Sequence, residues 1–325
     1  MTYLFLVLGL VLLIAGGELL VRGAVRIAEH FGLSPMLIGL TIVGMGTSMP
    51  ELAASVQAAL AGSPGIALGN IVGSNIANLL LILGFAVAVS PFAVARGVLW
   101  RDGGAGLACA AILIAIGYTF GLSRGVGIVL VILMVAYVYL AFRQEKAGAG
   151  HSAAYDKAMA LEAVDSALIP ATKPRGVILL AGALFLAGMV LIIAGGSLLV
   201  DSAITIASDL GVSDEVIGLT VVAVGTSLPE LVTSAIAAIK RQGEIALGNV
   251  LGSNIYNILF IGGVTGIVAP TEIPAGILRF DLPVLVGVSA VVMLFAYSGR
   301  RLSRVEGALL VAGYVAYAAV TAGLV

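Results

Sequence analysis

Two glutamates occupy equivalent positions in two matching segments, and both lie inside long apolar stretches. Glu51 belongs to GLTIVGMGTSMPEL at residues 39–52 and Glu230 to GLTVVAVGTSLPEL at residues 218–231, and these segments agree at 10 of 14 positions. An ionised carboxylate in the middle of a membrane span costs at least about 2.5 kcal/mol, so such residues are usually functional. No lysine or arginine lies near the middle of a predicted membrane span, where it could pair with either glutamate. The pattern favours cation binding over a structural salt bridge.

The residues before each glutamate offer further oxygens. Pro50 and Pro229 each remove a helical hydrogen bond and displace the carbonyl four residues earlier, at Gly46 and Gly225. The helix should therefore kink or unwind within GTSxPE, and non-helical backbone at this depth is tolerated where it lines a cavity or is buried in protein. Oxygen-only sites of this kind suit hard cations such as calcium. The hydroxyl side chains on the same turns are Thr47, Ser48, Thr226 and Ser227.

A second motif, GNxxGSNxxN, also occurs twice. Residues 66–78 and 245–257 agree at 10 of 13 positions. Its glycines have the small-xxx-small spacing that favours close helix packing, which is the structural alternative for this motif. We interpret the motif as serving both purposes, with close packing that lets serine and asparagine oxygens reach the glutamates. The side chains that share one helix face, four residues apart, are Ser74 with Asn78 and Ser253 with Asn257.

The composition places these motifs in a lipid bilayer. Of 325 residues, 61% are hydrophobic and 10% are charged, against roughly 25% charged in soluble domains. The single cysteine, Cys109, excludes a disulfide framework. We expect an integral membrane protein with no nucleic-acid partner, no cofactor and no obligate protein partner.

The two motifs are part of one internal repeat with an offset of 179 residues and no gap. Each half offers five apolar segments, each near the length of about 20 residues that a span needs. An odd number of spans per repeat inverts the second copy. The predicted fold class is therefore an all-α polytopic membrane protein with ten transmembrane helices in two inverted five-helix repeats. The predicted repeats cover residues 1–142 and 176–325, joined by a cytoplasmic linker at 143–175. The predicted spans are residues 3–27, 35–61, 65–90, 103–120, 125–142, 177–200, 215–239, 244–269, 282–298 and 305–324.

The distribution of basic residues predicts the orientation. With the N-terminus outside, 14 of the 16 lysines and arginines fall on the inner side, leaving only Arg124 and Arg279 outside. This split agrees with the positive-inside rule, so we expect both termini outside a cell membrane.

Glu18 is a third acidic residue in an apolar segment, and we interpret it as an ion pair with Arg22, one helical turn away at the membrane interface, in preference to a transport role. The outer connection between spans six and seven either concentrates cations or is a merely solvated loop; its acidic residues are Asp201, Asp209, Asp214 and Glu215.

The paired GTSxPE and GSNxxN segments resemble the alpha repeats of the calcium:cation antiporter superfamily, in particular its bacterial and archaeal sodium/calcium exchanger branch. The resemblance covers nearly the whole chain and implies ten helices, four interleaved cation sites around the two glutamates, and alternating access by sliding of spans one and six. One departure is Asn257, where many exchangers carry aspartate, so the site in this chain has two formal negative charges instead of three. Potassium co-transport in the family is associated with that aspartate, so potassium dependence is less expected here. The implied ligands are Thr47, Ser48, Glu51, Ser74, Asn78, Thr226, Ser227, Glu230, Ser253 and Asn257.

Residues and resemblance together predict a secondary active antiporter that exchanges calcium for sodium. A proton-coupled antiporter for calcium or another divalent cation is the main alternative, because a buried glutamate can also carry a proton. A passive channel fits an inverted repeat poorly. Enzymatic activity is not expected, since an intramembrane enzyme would need a nucleophile or a metal held by histidines.

Overall fold

The computed structural model describes residues 1–30, 44–46, 48–94, 98–146, 177–239, 241 and 243–323. This part of the chain is predominantly helical. Its first half contains α1 (Thr2–His30), α2 (Gly44–Gly46), α3 (Met49–Leu60), α4 (Pro64–Ala77), α5 (Leu83–Val89), α6 (Gly104–Thr119) and α7 (Arg124–Lys146). Its second half contains α8 (Val177–Leu210), α9 (Asp214–Ile217), α10 (Ala223–Thr226), α11 (Leu228–Ile239), α12 (Gly243–Tyr256), α13 (Gly262–Val268), α14 (Leu282–Gly299) and α15 (Arg304–Thr321).

Short irregular elements connect these helices. The strands β1 (Phe92–Ala93) and β2 (Arg301–Leu302) pair antiparallel, a small departure from the all-α prediction. Wider helical turns with π geometry also occur, and two pairs of them lie at matching places in the two halves. These pairs are Asn78–Ile82 with Asn257–Ile261, and Leu99–Gly103 with Ile277–Asp281. A fifth such turn is Gly218–Val222.

The helices are long and apolar enough to cross a bilayer repeatedly. The described residues include seven such helices, and the bent pair 214–226 and 228–239 makes an eighth candidate span. The predicted second span falls partly on residues 31–43, and most of the predicted linker on residues 147–176; both stretches lie outside the described residues. The chain is therefore a helical, multi-pass membrane protein.

Two spans begin earlier than predicted because their aspartates are buried inside them. The fourth span starts at Leu99 instead of residue 103, and the ninth at Ile277 instead of 282. Tyr137 donates a hydrogen bond to Asp102 at 3.3 Å, and Arg101 does so at 2.8 Å. In the second half, the Tyr317 hydroxyl donates to Asp281 at 2.8 Å. These donors allow the aspartates to lie within spans, where an unbonded carboxylate would be too costly.

The acidic connection between spans six and seven is more helical than expected. α8 runs ten residues beyond the predicted end of span six and carries Asp201 and Asp209. Asp214 and Glu215 form the first turn of α9, where carboxylates interact favourably with the positive end of a helix. Three residues, 211–213, separate the two helices. Whether this connection concentrates cations or is merely solvated stays a prediction.

α1 and α8 pack antiparallel with their backbones in contact. A Cβ atom added at Gly9 would lie 2.8 Å from Gly195 O, and one added at Gly16 would lie 2.8 Å from Ile192 N. Residues early in α1 thus meet residues late in α8. Small residues allow helices to approach this closely in a membrane. On α1, Arg22 donates to Glu18, as predicted for this pair.

The middle of the bundle is formed by the third and eighth predicted spans. The spans 64–89 and 246–268 are the most buried of the candidate spans. Every residue of α4 from Gly65 to Ala77 is buried, including its polar side chains. These two spans therefore place the asparagine-rich motifs at the centre of the molecule.

Candidate functional site

Each glutamate lies in the first turn of a helix that follows an interruption of the helical backbone. The residues before α3 and α11, Ser48 and Ser227, have nearly the same backbone angles, φ −86° and ψ 6° against φ −85° and ψ 10°. The seventh span bends by 46° at this point. The predicted interruption of the helix is thereby confirmed in both copies. It places Glu51 and Glu230 at helix N-termini, where the peptide dipoles favour a negative charge.

The glutamates are buried and the two halves interleave around them. Glu51 is 1% exposed and Glu230 is 0% exposed. Ser227 Oγ donates to Glu51 Oε1 at 3.0 Å, so a hydroxyl of the second half holds a carboxylate of the first. Ser253 Oγ donates to Glu230 Oε1 at 3.4 Å. Because Ser227 precedes Glu230 by three residues, the first bond brings both glutamate-bearing turns together.

Two asparagines anchor the backbone of these turns. Asn70 Nδ2 donates to Glu51 O at 3.1 Å, and Asn249 Nδ2 donates to Glu230 O at 3.3 Å. The side-chain oxygen of Asn70 accepts from Thr226 Oγ1 at 3.0 Å, across the boundary between the halves. Each anchor lies 19 residues after its glutamate. The sequence repeat is therefore also a repeat of contacts.

Asn78 and Asn257 begin the π-helical turns that follow α4 and α12. Asn78 Nδ2 donates to Asn254 Oδ1 at 3.0 Å, which fixes the orientation of the Asn78 amide. Within the described residues, Asn78 Oδ1 and both polar atoms of Asn257 have no hydrogen-bond partner. A buried polar atom without a partner costs about 1–3 kcal/mol. Such atoms in a native structure call for an explanation, and an ion ligand provides one.

The predicted site residues that the structure describes are all buried, and hydrogen bonds connect several of them. Thr47 lies outside the described residues. Ser74 Oγ lies 3.5 Å from Asn70 Oδ1, the same atom that accepts from Thr226. Their role as ion ligands stays a prediction. The nine described residues, each at most 1% exposed, are Ser48, Glu51, Ser74, Asn78, Thr226, Ser227, Glu230, Ser253 and Asn257.

The chemistry of this site is that of oxygen ligands. Its side chains are carboxylates, amides and hydroxyls, and no group of three or more His, Cys, Asp or Glu converges among the described residues. The described residues also include no buried lysine or arginine. Hard cations prefer such ligands, whereas softer transition metals select imidazole or thiolate. The low dielectric of a buried site strengthens the attraction between a cation and the carboxylates.

Sequence reasoning missed several supporting residues. Ser55 Oγ accepts from Asn70 Nδ2 at 2.9 Å, and Ser234 Oγ accepts from Asn249 Nδ2 at 2.8 Å. Each serine follows a glutamate by four residues, so helical spacing could have placed it on the same face. The hydrogen bonds of Asn254 with Asn75 and Asn78 in the other half could not have been predicted from helical spacing.

The fold and the site together define a multi-pass membrane transporter for cations. A family model described as sodium/calcium exchanger protein matches residues 1–143 and 180–323. The sodium/calcium exchanger MaX1 of Methanosarcina acetivorans is 36% identical over 338 residues, covering 97% of each chain. The inner membrane protein YrbG of Escherichia coli is 34% identical over 321 residues, covering 97% of this chain and 94% of its own. A solved structure of the sodium-calcium exchanger NCX_Mj matches with a TM-score of 0.59 at 33% identity, covering 97% of this chain and 96% of that one.

The chain therefore belongs to the sodium/calcium exchanger family. The predicted resemblance to the bacterial and archaeal branch is confirmed. Members of this family are transporters and not enzymes, and the function of this chain is cation antiport across a membrane.

Proposed function

We propose that the chain exchanges calcium for sodium by alternating access at Glu51 and Glu230. The observation that carries the proposal is the hydrogen bond of Ser227 to Glu51, which joins the two glutamate-bearing turns in one buried site. The names of MaX1 and NCX_Mj support calcium and sodium as the transported ions. Both ions are substrates that pass through the protein.

The proposed architecture has ten transmembrane helices in two inverted repeats, residues 1–142 and 176–325, with a cytoplasmic linker at 143–175. Antiparallel packing of α1 on α8, the first helices of the two repeats, supports the inversion. The equivalent asparagine anchors in both halves support the duplication. The protein lies in the cell membrane with both termini outside.

The ions bind to oxygens contributed by both repeats. The burial of the nine described ligands and the unpartnered amide atoms of Asn78 and Asn257 support this assignment. Asn70 and Asn249 hold the broken turns in place but do not bind the ion. The proposed ligands are Thr47, Ser48, Glu51, Ser74, Asn78, Thr226, Ser227, Glu230, Ser253 and Asn257.

Charge balance explains how one site serves both ions. A single calcium ion cancels the two carboxylates, and two sodium ions cancel them equally. A third sodium ion would leave the site with one positive charge, stabilised only by hydroxyl and amide dipoles. At least two sodium ions are therefore exchanged for each calcium ion.

The same charges enforce coupling. An empty site carries two negative charges, which are costly to move through a low-dielectric barrier. Only the loaded protein then changes between its inward-facing and outward-facing states. The close backbone contact of α1 and α8 supports a pair that moves as one body, as the sliding of spans one and six requires.

The test is uptake of radioactive calcium into proteoliposomes that contain the purified chain. Vesicles are loaded with sodium, potassium or choline, each with and without an imposed pH gradient. We expect uptake only with internal sodium. Uptake that follows the pH gradient without sodium would contradict sodium coupling and establish the proton-coupled alternative at the same glutamates.

A further inference from the structure

A cavity of about 470 Å³ opens at one end of the helix bundle, away from the buried glutamates. It lies where α5 and α11 end and α15 begins, and its lining includes Arg241 and Arg304. The remaining lining is mostly apolar, with Val89, Pro91 and Ile239 among it. The basic residues of the connections place this end on the cytoplasmic side in the expected topology.

Arg241 is held in a backbone conformation that disfavours it. Its φ is +60°, in the left-handed region. Residues with a Cβ are strained there, whereas glycine is not. Its backbone N–H donates to Ala238 O at 2.9 Å, which fixes the turn after α11. A turn of this shape would form more easily with glycine.

Arg304 is also placed against the local preference. It occupies the first turn of α15, where the helix dipole disfavours a positive charge. Glu306 in the same turn is engaged in the capping box, because its carboxylate accepts from Ser303 N at 2.7 Å. Neither Arg241 nor Arg304 makes an ion pair or side-chain hydrogen bond with any residue in the described part of the chain.

We propose that this cavity binds the phosphate group of an anionic phospholipid. A guanidinium group donates paired, charge-assisted hydrogen bonds to phosphate oxygens, and two such groups line this cavity. The volume falls in the range of small-ligand pockets. Basic pockets between membrane helices on the cytoplasmic side are suited to anionic headgroups.

The rim of the cavity favours a lipid over a free anion. Ile239 is 68% exposed and Val305, next to Arg304, is 69% exposed. These side chains can contact the glycerol and the first methylenes of the acyl chains, whereas inorganic phosphate would gain nothing from them. The proposed site is independent of the ions exchanged at the glutamates.

The test is native mass spectrometry of the full-length protein in detergent, titrated separately with phosphatidylglycerol and phosphatidylcholine. We expect one phosphatidylglycerol to bind more tightly than the others and more tightly than phosphatidylcholine. The double variant Arg241→Gln/Arg304→Gln should weaken this binding at least about tenfold, because each lost bond is charge-assisted. Thermal unfolding in detergent alone checks that the variant is folded.

The double variant Arg300→Gln/Arg301→Gln is the matched control. It removes the same number of charges at the same end of the bundle, but neither residue lines this cavity, and Arg300 lines a different one of about 100 Å³. An equal loss of binding in this control would overturn the proposal in favour of a general charge effect. Equal binding of both lipids to the wild type would overturn it as well. Displacement of the lipid by millimolar inorganic phosphate would identify a site for free anions instead.

Discussion

Asn254 offers the sharpest test of how the proposed ion ligands are oriented. Its Oδ1 accepts from Asn78 Nδ2 at 3.0 Å, and its Nδ2 donates to Asn75 O at 3.2 Å. The first bond turns the Asn78 amide so that its NH2 group is occupied and its oxygen is available to an ion. Asn254→Leu keeps the side-chain volume and removes both bonds. The variant should therefore lose the orientation of Asn78 without creating a cavity.

The expected loss can be worked out from these contacts. A buried amide group left without its partner costs about 1–3 kcal/mol. In the variant, the Asn78 amide must be reoriented each time an ion binds, and we expect this to cost free energy in the lower part of the range of about 1–3 kcal/mol. A cost of about 1.4 kcal/mol corresponds to a tenfold change in affinity. We expect the KM for calcium to rise about tenfold while kcat changes little, in sodium-driven uptake by proteoliposomes.

A double-mutant cycle separates this effect from general damage. Asn78→Ala should raise the KM for calcium, and adding Asn254→Leu should raise it little further, since the oriented group is already absent. Asn75→Leu is the matched control, because the Asn75 amide donates to Ile71 O within its own helix at 2.7 Å. Additive effects of Asn254→Leu and Asn78→Ala, or an equal loss in the control, would refute the reasoning.

Three further predictions test the site, the helix pair and a buried contact. Glu51→Gln should abolish calcium uptake in a protein that still elutes as a folded species, while Glu51→Asp keeps the charge and retains some uptake; full uptake by the glutamine variant would contradict the charge balance. Gly188→Val should destabilise the protein and stop uptake, because its Cβ would overlap the backbone of α1. A Cβ atom at Gly182 would have no atom within 4 Å, so Gly182→Val should behave as wild type. If Gly182→Val lowers stability and uptake as much as Gly188→Val, close packing of α1 on α8 is not what transport requires. Tyr317→Phe should lower the free energy of unfolding by about 1–3 kcal/mol, because a buried aspartate loses its 2.8 Å hydrogen bond. The melting temperatures of Tyr317→Phe and of the control Tyr314→Phe are compared with that of the wild type. An equal decrease in both variants would mean that the hydrogen bond to Asp281 is not responsible.

The candidate site was predictable because its determinants are local and occur twice. Proline in GTSxPE disrupts the helix through its own ring and missing amide, whatever the surrounding fold. Helical spacing places Ser74 and Asn78 on one face. A buried carboxylate in an apolar segment needs a functional explanation even without coordinates. Repetition of these features 179 residues later made chance agreement untenable.

The span boundaries were less predictable because they depend on distant partners. The spans predicted from the sequence start at residues 103 and 282, directly after Asp102 and Asp281. Tyr137 and Tyr317, which donate to them, are 35 and 36 residues further along the chain. The β1–β2 pairing likewise joins residues 92 and 302. Such contacts form only once the helices are packed, so local sequence carries little sign of them.

Asn75 and Asn254 are equivalent in the repeat, yet they bond differently. Asn254 reaches across to Asn75 O and Asn78, whereas the Asn75 amide donates within its own helix. The two segments agree at 10 of 13 positions, and Ala77 against the buried Tyr256 is among the differences. The two repeats therefore make different contacts around the site. Inverted repeats that alternate access must differ in this way, since two identical halves would face both sides alike. Under the proposed alternating access, the contacts of Asn254 belong to one of two states, and a sequence shared by both states could not have indicated which.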